Sequence, residues 1–190
     1  MHKRTVPMCS RKVPLWGLLL ALVVILCCTV QICAEVKLHR DQRAAFIQSL
    51  MAYANAISQN LSNASLNTYD SEEIHAELVG ARLRSEQLYN LLSRIPEYTV
   101  FGSEKSLFDE LYCSSTSPDE AFAYVKAQLN ETFYEYQENK ILSAESLSII
   151  IWMSDAFSSF YDSLDGQDYI SQKSFIDCMD TLCTTIQESR

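Results

Sequence analysis

The sequence predicts an all-α protein, an antiparallel helical bundle of about five or six helices on one N-terminal transmembrane helix. In several separate segments, apolar residues recur at the three- and four-residue steps of an amphipathic helix. Glycine and proline are scarce, with four of each among 190 residues. That scarcity disfavours a turn-rich β architecture. One apolar run near the N-terminus is long enough to cross a membrane.

The first element is the apolar run Leu15–Val30, which three further apolar residues extend to Ala34. About 20 such residues suffice for a helix across the hydrocarbon core. The segment before it carries four lysines or arginines and no acid, so the N-terminus is predicted to stay in the cytoplasm. The predicted domains are a basic tail (1–14), a transmembrane signal anchor (15–34) and a helical-bundle domain outside the cytoplasm (35–190).

A cleaved signal peptide is the alternative interpretation of the same run. Ile32-Cys33-Ala34 is a poor cleavage site, and the run exceeds the usual signal core of about 7–15 residues, so the uncleaved anchor is preferred. Cleavage would instead release a secreted helical effector or ligand. In a eukaryotic host, the Asn-x-Ser/Thr sequons at Asn60, Asn63 and Asn130 would then be candidate glycosylation sites.

Three helical segments are predicted between the span and residue 112. The first, about Asp41–Leu61, either continues the membrane helix or hinges near residue 36. An exposed polar loop, Ser62–Tyr69, follows it and is expected to display the first two sequons. The second helix, Ser71–Ile95, ends before Pro96; a short third helix covers Ser103–Tyr112. The apolar stripes of the first two are Phe46, Leu50, Tyr53, Ile57, Leu61 and Ile74, Leu78, Ala81, Ser85, Leu88, Leu92, Ile95.

Three longer helices follow. Ser117-Pro118-Asp119-Glu120 combines a capping serine, a proline at the first helical position and a glutamate that completes a capping box, so a fourth helix runs from there to Asn139. Ser143 starts the fifth helix, Ala144–Leu164, which Gly166 ends, and the sixth covers Ser171–Glu188. Their apolar stripes are Phe122, Val125, Leu129, Phe133, Tyr136; Leu147, Ile150, Ile151, Phe157, Phe160, Leu164; and Phe175, Met179, Leu182, Ile186.

The charge of the exported part limits its partners. Four of the 15 lysines and arginines lie in the tail, which leaves 11 against 24 acids and a net charge of −13. A domain this acidic repels phosphate backbones, so nucleic acid is not an expected partner. Lys37, Arg40 and Arg43 follow the span, where they can meet lipid headgroups.

The cysteines predict at most one disulfide in the exported part. Of seven cysteines, only Cys113, Cys178 and Cys183 follow the span, an odd number that fits neither a disulfide framework nor a four-ligand zinc site. Cys178 and Cys183 would project from separate faces of one helix, so the possible pair is Cys113 with either of them. Buried or idle thiols are the equally acceptable alternative.

No catalytic, cofactor or metal site is predicted, and the protein is not expected to be an enzyme. The three histidines lack metal-ligand spacing, and no glycine-rich phosphate loop occurs. His75 with Cys113 is the best remaining catalytic pair. Adjacent carboxylates such as Glu72 and Glu73 fall at helix starts, where acids favour the helix dipole.

Aromatic residues of the predicted fourth and fifth helices have two interpretations. They could line an apolar groove for a partner helix, or pack in the core of a small bundle, which is the preferred interpretation. The residues are Tyr134, Tyr136, Phe157, Phe160 and Tyr161.

The layout resembles the N-terminal helical region of the spore germination protein YpeB family. Ser85-Glu86-Gln87-Leu88 followed by Leu92-Ser93-Arg94-Ile95-Pro96 is similar to that family's helix ending in a Leu-Pro pair. Residues 101–111 are similar to its short helix after the proline. Other points of contact are Arg43-Ala44-Ala45-Phe46 and Lys140-Ile141-Leu142-Ser143-Ala144-Glu145. The chain departs from the family in lacking the PepSY-type repeats that follow there.

The resemblance implies a role in sporulation and germination. A YpeB-like factor would localise or stabilise a spore cortex-lytic enzyme, a cell-wall hydrolase such as SleB. Independently of the family, an anchored helical domain without a catalytic pattern predicts a non-enzymatic interaction protein with two kinds of partner, membrane lipid and another protein.

Overall fold

In the computed structural model, the described residues are 15–66, 71–93, 118–167, 170 and 172–189. Within them the chain forms five helices and no strand, which confirms the all-α class. The predicted third helix, Ser103–Tyr112, lies outside these residues. The helices are α1 Leu15–Leu66, α2 Ser71–Ser93, α3 Pro118–Asn139, α4 Ala144–Leu164 and α5 Gln172–Glu188.

The chain divides after Ala45 into two compact units. The first contains the N-terminal part of α1, a helix long and apolar enough to cross a membrane. Its large apolar side chains are exposed; Trp16, for example, is 82% exposed. The helix that the sequence placed at Asp41–Leu61 is the C-terminal part of the same α1, which shows no break near residue 36.

The predicted loop Ser62–Tyr69 is wrong over residues 62–66, which continue α1. Leu61 and Ala64 are buried in the core of the second unit, and the Ser65 hydroxyl donates to the Ser62 carbonyl at 2.7 Å. Core packing and this local bond offset the low helix propensity of the Asn- and Ser-rich sequence. Residues 67–70 lie outside the described residues.

The second unit has one apolar core, to which all five helices contribute. The predicted stripes of α3 and α5 are fully buried, and so is that of α2 as far as Leu92. In α1, Leu50, Ile57 and Leu61 are buried, while two predicted residues at its margin are half-buried. These predictions are confirmed because each stripe is a single row at helical spacing that faces the same core.

The predicted apolar face of α4 is partly wrong. Leu147 is half-buried and Ile151 is 45% exposed, whereas Met153 is buried. Ser146 and Ser154 are buried as well. Their hydroxyls have hydrogen-bond partners inside the unit. A polar side chain whose hydrogen bonds are satisfied can occupy a core position where an apolar residue is expected.

A pair of serines joins α1 to α4. The Ser58 hydroxyl donates to the Ser154 carbonyl at 2.9 Å, and the Ser154 hydroxyl donates to the Ser58 carbonyl at 2.9 Å. Ser146 similarly donates to a carboxylate oxygen of Glu135 on α3. These bonds fix which side of α4 faces the core.

Contacts between α2 and α3 pair the start of one helix with the end of the other. The Tyr136 hydroxyl donates to the Ser71 carbonyl at 2.7 Å, and Lys126 forms a 3.7 Å ion pair with Glu86. Between α3 and α4, the rings of Phe122 and Phe157 lie 6.2 Å apart. Along both pairs, α2 with α3 and α3 with α4, the start of one helix therefore contacts the end of the other.

Close packing of α1 on α2 depends on Gly80. A Cβ atom built there would overlap the amide of Asn60 and lie 3.1 Å from its Cγ. With the amide oriented by its network, Asn60 accepts from the Ala81 N–H at 3.0 Å and donates to Ala56 O at 3.2 Å and Glu77 Oε2 at 3.3 Å. The absence of a side chain at Gly80 therefore permits this close approach of α1 and α2.

Local signals set the helix ends around α4. The Ser143 hydroxyl accepts from the Ser146 N–H at 3.1 Å, which confirms its prediction as the start of the helix. Gly166, predicted to end α4, has a positive φ of 73°, a conformation that glycine adopts without a Cβ penalty. Lys140, directly after α3, has φ 58°.

Candidate functional site

A cleft between α4 and α5 is the candidate site, named here the α4–α5 cleft. Its volume is about 390 Å³, within the range of roughly 300–1,000 Å³ that is typical of ligand-binding pockets. The lining residues are Trp152, Asp155, Ala156, Ser159, Phe160 and Ser163 of α4, with Asp177, Cys178, Thr181, Leu182 and Thr185 of α5.

Helical spacing brings these residues together. Trp152, Ala156 and Phe160 follow one another at four-residue steps, so they lie on one side of α4. Cys178, Leu182 and Thr185 recur at three- and four-residue steps on α5 in the same way. The row on α4 lies beside the buried stripe and shares Phe160 with it.

The floor of the cleft is apolar. Phe160 and Leu182 are each 3% exposed, and Trp152 and Ala156 are partly buried against the core. The α5 side of the cleft includes the small side chains of Cys178, Thr181 and Thr185, whereas the α4 side includes the large ring of Trp152. Apolar surface is thereby open between the two helices.

Three of the four hydroxyl groups that line the cleft already bond to their own helices, and the fourth, that of Ser159, lies at an exposed position. Ser163 donates to Phe160 O at 2.7 Å, Thr181 donates to Asp177 O at 2.7 Å, and Thr185 donates to Thr181 O at 2.9 Å. A hydroxyl whose proton is held by a carbonyl is neither a free donor nor a nucleophile activated by a base. The cleft therefore presents chiefly shape and apolar surface.

Both charged residues that line the cleft are acidic. Asp155 and Asp177 lie on its exposed edges, one on each helix. Across the described ranges, the salt bridges are Arg40–Asp41 and Lys126–Glu86, so no lysine or arginine of those ranges neutralises either cleft aspartate. The edges of the cleft carry negative charge above an apolar floor.

The two described thiols that follow α1 differ in environment. Cys178 lines the cleft, and the Ser163 hydroxyl lies 3.3 Å from its Sγ. Cys183 is buried, and burial, together with the charge of Asp180, raises the pKa of its thiol to about 12. Both are free cysteines in this structure. Cys113 lies outside the described residues, so its predicted pairing with Cys178 or Cys183 stays a prediction.

The residues considered for chemistry do not converge on the cleft. The imidazole of His75 lies against the ring of Phe133, with centroids 5.4 Å apart. Its Nδ1 is buried and has no hydrogen-bond partner among the described residues. Glu72 and Glu73 are exposed in the first turn of α2. Among the described residues, no three histidine, cysteine or acidic side chains cluster as metal ligands.

Most of the predicted aromatic groove belongs to the core. Tyr136, Phe157 and Phe160 are at most 3% exposed, whereas Tyr134 is 52% exposed. The preferred interpretation, core packing, is confirmed for these three. Tyr161 is half-buried, and a hydrogen bond to Asp165 raises the pKa of its hydroxyl. Only Phe160 also contributes to the cleft.

The three sequon asparagines lie in helices. Asn60 and Asn63 are in α1, contrary to the expected loop, and both amides donate to Glu77 of α2, Asn63 to Oε1 at 3.1 Å. Asn130 lies in α3, as expected, and its Oδ1 is buried. The structure thus gives the first two sequon asparagines a packing role between α1 and α2.

Comparisons of this chain with known protein families, with curated proteins and with solved structures found no match. The resemblance to YpeB-like proteins therefore stays a prediction.

Sequence reasoning did not identify the α4–α5 cleft. Trp152 was not placed on any stripe, although Trp152, Ala156 and Phe160 form a second apolar row on α4. A second apolar row beside the core stripe is the sequence signal that indicates the cleft. A helix that faces a single core needs only one apolar row.

Proposed function

We propose that the chain is a membrane-anchored, non-enzymatic interaction protein whose exported helices form an antiparallel bundle. In this proposal the bundle binds a protein partner at the α4–α5 cleft. The single observation that carries the proposal is the cleft itself, with apolar surface between two helices, three of its four hydroxyls engaged by backbone carbonyls, and acidic edges.

The N-terminal part of α1 supports the anchor. It is apolar on all sides and none of its most apolar window is buried within the chain, which suits a helix surrounded by lipid. The basic tail favours a cytoplasmic N-terminus, and Lys37 and Arg40, exposed on the helix after the span, suit lipid headgroups. An anchor raises the local concentration of the binding domain near membrane-associated partners.

Photocrosslinking from the cleft tests the interaction. A photoreactive amino acid at Thr185, on the cleft, should crosslink to a discrete protein partner in intact cells. The same group at Glu138, exposed on α3, serves as the matched control and should give no such product. Equal products from both positions, or none from Thr185, would remove the cleft as the binding surface.

The YpeB resemblance suggests one specific partner, a cortex-lytic hydrolase such as SleB. This narrower proposal requires that the Thr185 crosslink contain the hydrolase and that deletion of the gene for this chain lower the hydrolase level in spores. A crosslink to a different protein would retain the interaction function and refute the germination role.

Fractionation tests the anchor separately. The native protein should remain with membranes after alkaline carbonate extraction and retain residues 1–34. A soluble form with an N-terminus near Glu35 would refute the anchor and support the alternative, a secreted helical effector or ligand.

A further inference from the structure

We propose that the occupant of the α4–α5 cleft is a short amphipathic helix with a basic polar face, supplied by the partner protein. The inference rests on the proposed function, because it names the chemistry of the partner that the cleft binds. The inference is supported by three observations: the length of the cleft, the lack of available polar groups at its floor, and the negative charge at its edges.

The length of the cleft suits a helical segment. Its lining on α4 extends from Trp152 to Ser163, about 16 Å at 1.5 Å per residue. An occupant helix of about three turns would match that length. Helices dock in such furrows by placing apolar residues at i, i+3, i+4 and i+7 against an apolar floor, which Phe160 and Leu182 provide here.

The hydroxyls disfavour a small polar ligand. Small-molecule sites use a few converging polar groups to orient the ligand. In the cleft, the hydroxyls of Ser163, Thr181 and Thr185 bond to carbonyls of their own helices. A docked helix satisfies its own backbone groups, so its affinity comes from the apolar contact that this floor offers.

The edges determine the charge of the occupant. Asp155 and Asp177 lie on opposite helices, so a docked helix would pass between two carboxylates. Both helices are acidic around the cleft; α4 contains no lysine or arginine, and α5 contains only Lys173. Lysines or arginines flanking the apolar stripe of the partner helix would pair with these aspartates, whereas acidic residues would be repelled.

Trp152 provides the readout, since the chain has two tryptophans and the other, Trp16, lies in the apolar run. The full chain carrying Trp16→Phe is placed in zwitterionic lipid nanodiscs. It is titrated with a synthetic peptide of about 12 residues that has leucines at i, i+3, i+4 and i+7 and lysines elsewhere. We expect a saturable blue shift of Trp152 emission, and none with a scrambled peptide of the same composition.

Charge variants test the edges. The double variant Asp155→Asn/Asp177→Asn should bind the basic peptide about tenfold more weakly, the combined effect of two exposed ion pairs. A matched control, Glu131→Gln/Glu138→Gln on exposed positions of α3, should bind like the parent. Circular dichroism of both variants confirms that they are folded.

The outcomes separate this inference from the proposed function. If a leucine–glutamate peptide binds as tightly and the aspartate variant has no effect, the basic-helix inference is overturned and the docking function remains. If no peptide of either charge shifts the emission of Trp152, the basic-helix inference and the docking function both lose their support. Binding of an apolar dye alone would assign the cleft to a small molecule, and cleft-dependent self-association would assign it to a second copy.

The chain's own residues are a further possible occupant. If Leu107→Ser/Phe108→Ser shifts Trp152 emission to the red and tightens peptide binding, part of segment 94–117 covers the cleft. That result would also overturn the inference.

Discussion

At Gly80, one missing methyl group determines how closely α1 and α2 approach. The amide of Asn60 occupies the space that a Cβ atom would need, and it bonds to both helices there. Asn60 and Asn63 both donate to the carboxylate of Glu77. A glycine, two asparagines and a glutamate therefore join α1 to α2.

Gly80→Ala should destabilise the protein by about 1 kcal/mol. The new methyl group displaces the Asn60 amide, and the lost hydrogen bonds, each worth about 0.5–1.5 kcal/mol, exceed the gain of about 1 kcal/mol in helix propensity. In an Asn60→Ala background no amide is present to displace, so the same substitution should stabilise by about 1 kcal/mol. Urea unfolding of the four proteins measures both effects. Equal effects in the two backgrounds would contradict the contact.

The two thiols of α5 should react differently. Cys178, half-exposed beside Ser163, should be alkylated by iodoacetamide in the native protein at pH 8. Cys183 should react only after unfolding, since it is buried and its thiol pKa is raised to about 12. Peptide mass analysis after native and denaturing alkylation distinguishes them. Native labelling of Cys183 would contradict its burial.

The same raised pKa has a consequence for stability against pH. The folded state favours the protonated Cys183 thiol, so that contribution is fully present below pH 9.0, the ordinary thiol value, and is lost as pH rises towards about 12. Cys183→Ala should lower stability at neutral pH through lost packing. It should also flatten the decline between those two pH values, as measured by urea unfolding.

At the level of elements, α4 is positioned from both ends. Ser143→Ala should destabilise the protein by about 1 kcal/mol, because the Ser146 N–H loses the hydroxyl that caps it. Ser148→Ala, at an exposed position inside α4, is the matched control and should be neutral or slightly stabilising. A cost that is the same at both positions would exclude capping as the cause.

The end of α3 should accept glycine. Lys140 has φ 58°, a left-handed conformation in which most side chains are strained and glycine is not. Lys140→Gly should therefore stabilise the protein by up to about 1 kcal/mol. Asn139→Gly, one residue earlier and still helical, should destabilise it by a similar amount. Thermal unfolding of both variants checks the opposite signs.

The buried face of some helices could be predicted from the sequence and that of others could not, for a physical reason. The stripes of α2, α3 and α5 were predictable because each is one row facing one core. The inward face of α4 was not, since Ser154 is held there by Ser58, 96 residues away in the chain. The cleft was not predicted either, because it depends on which residues of α5 lie beside the second row of α4. Spacing along one helix does not contain that information.

For the molecule as a whole, charge and hydropathy are divided along the chain. The basic tail and apolar run come first, and the remaining residues carry a net charge of −13, from 11 basic and 24 acidic residues. The acidic part suits recognition of basic protein segments and disfavours nucleic acid.

The orientation proposed for the chain predicts the behaviour of reporter fusions. Alkaline phosphatase, which folds only outside the reducing cytoplasm, should be active when it is fused after residue 190. Changing the four basic residues of the tail, Lys3, Arg4, Arg11 and Lys12, to glutamate should lower that activity, because the positive charges keep the N-terminus inside. High activity that is insensitive to these changes would contradict the proposed origin of the topology.

The junction of Asn60 with α2 affects how the protein should be produced. Both hydrogens of its amide nitrogen are engaged, by Ala56 and Glu77, so an attached oligosaccharide would force α1 and α2 apart. Expression through a yeast or insect secretory route would then give two species on a gel: a heavier one that is trypsin-sensitive and a lighter one that is resistant. Bacterial expression, which adds no such sugar, should give the resistant species alone.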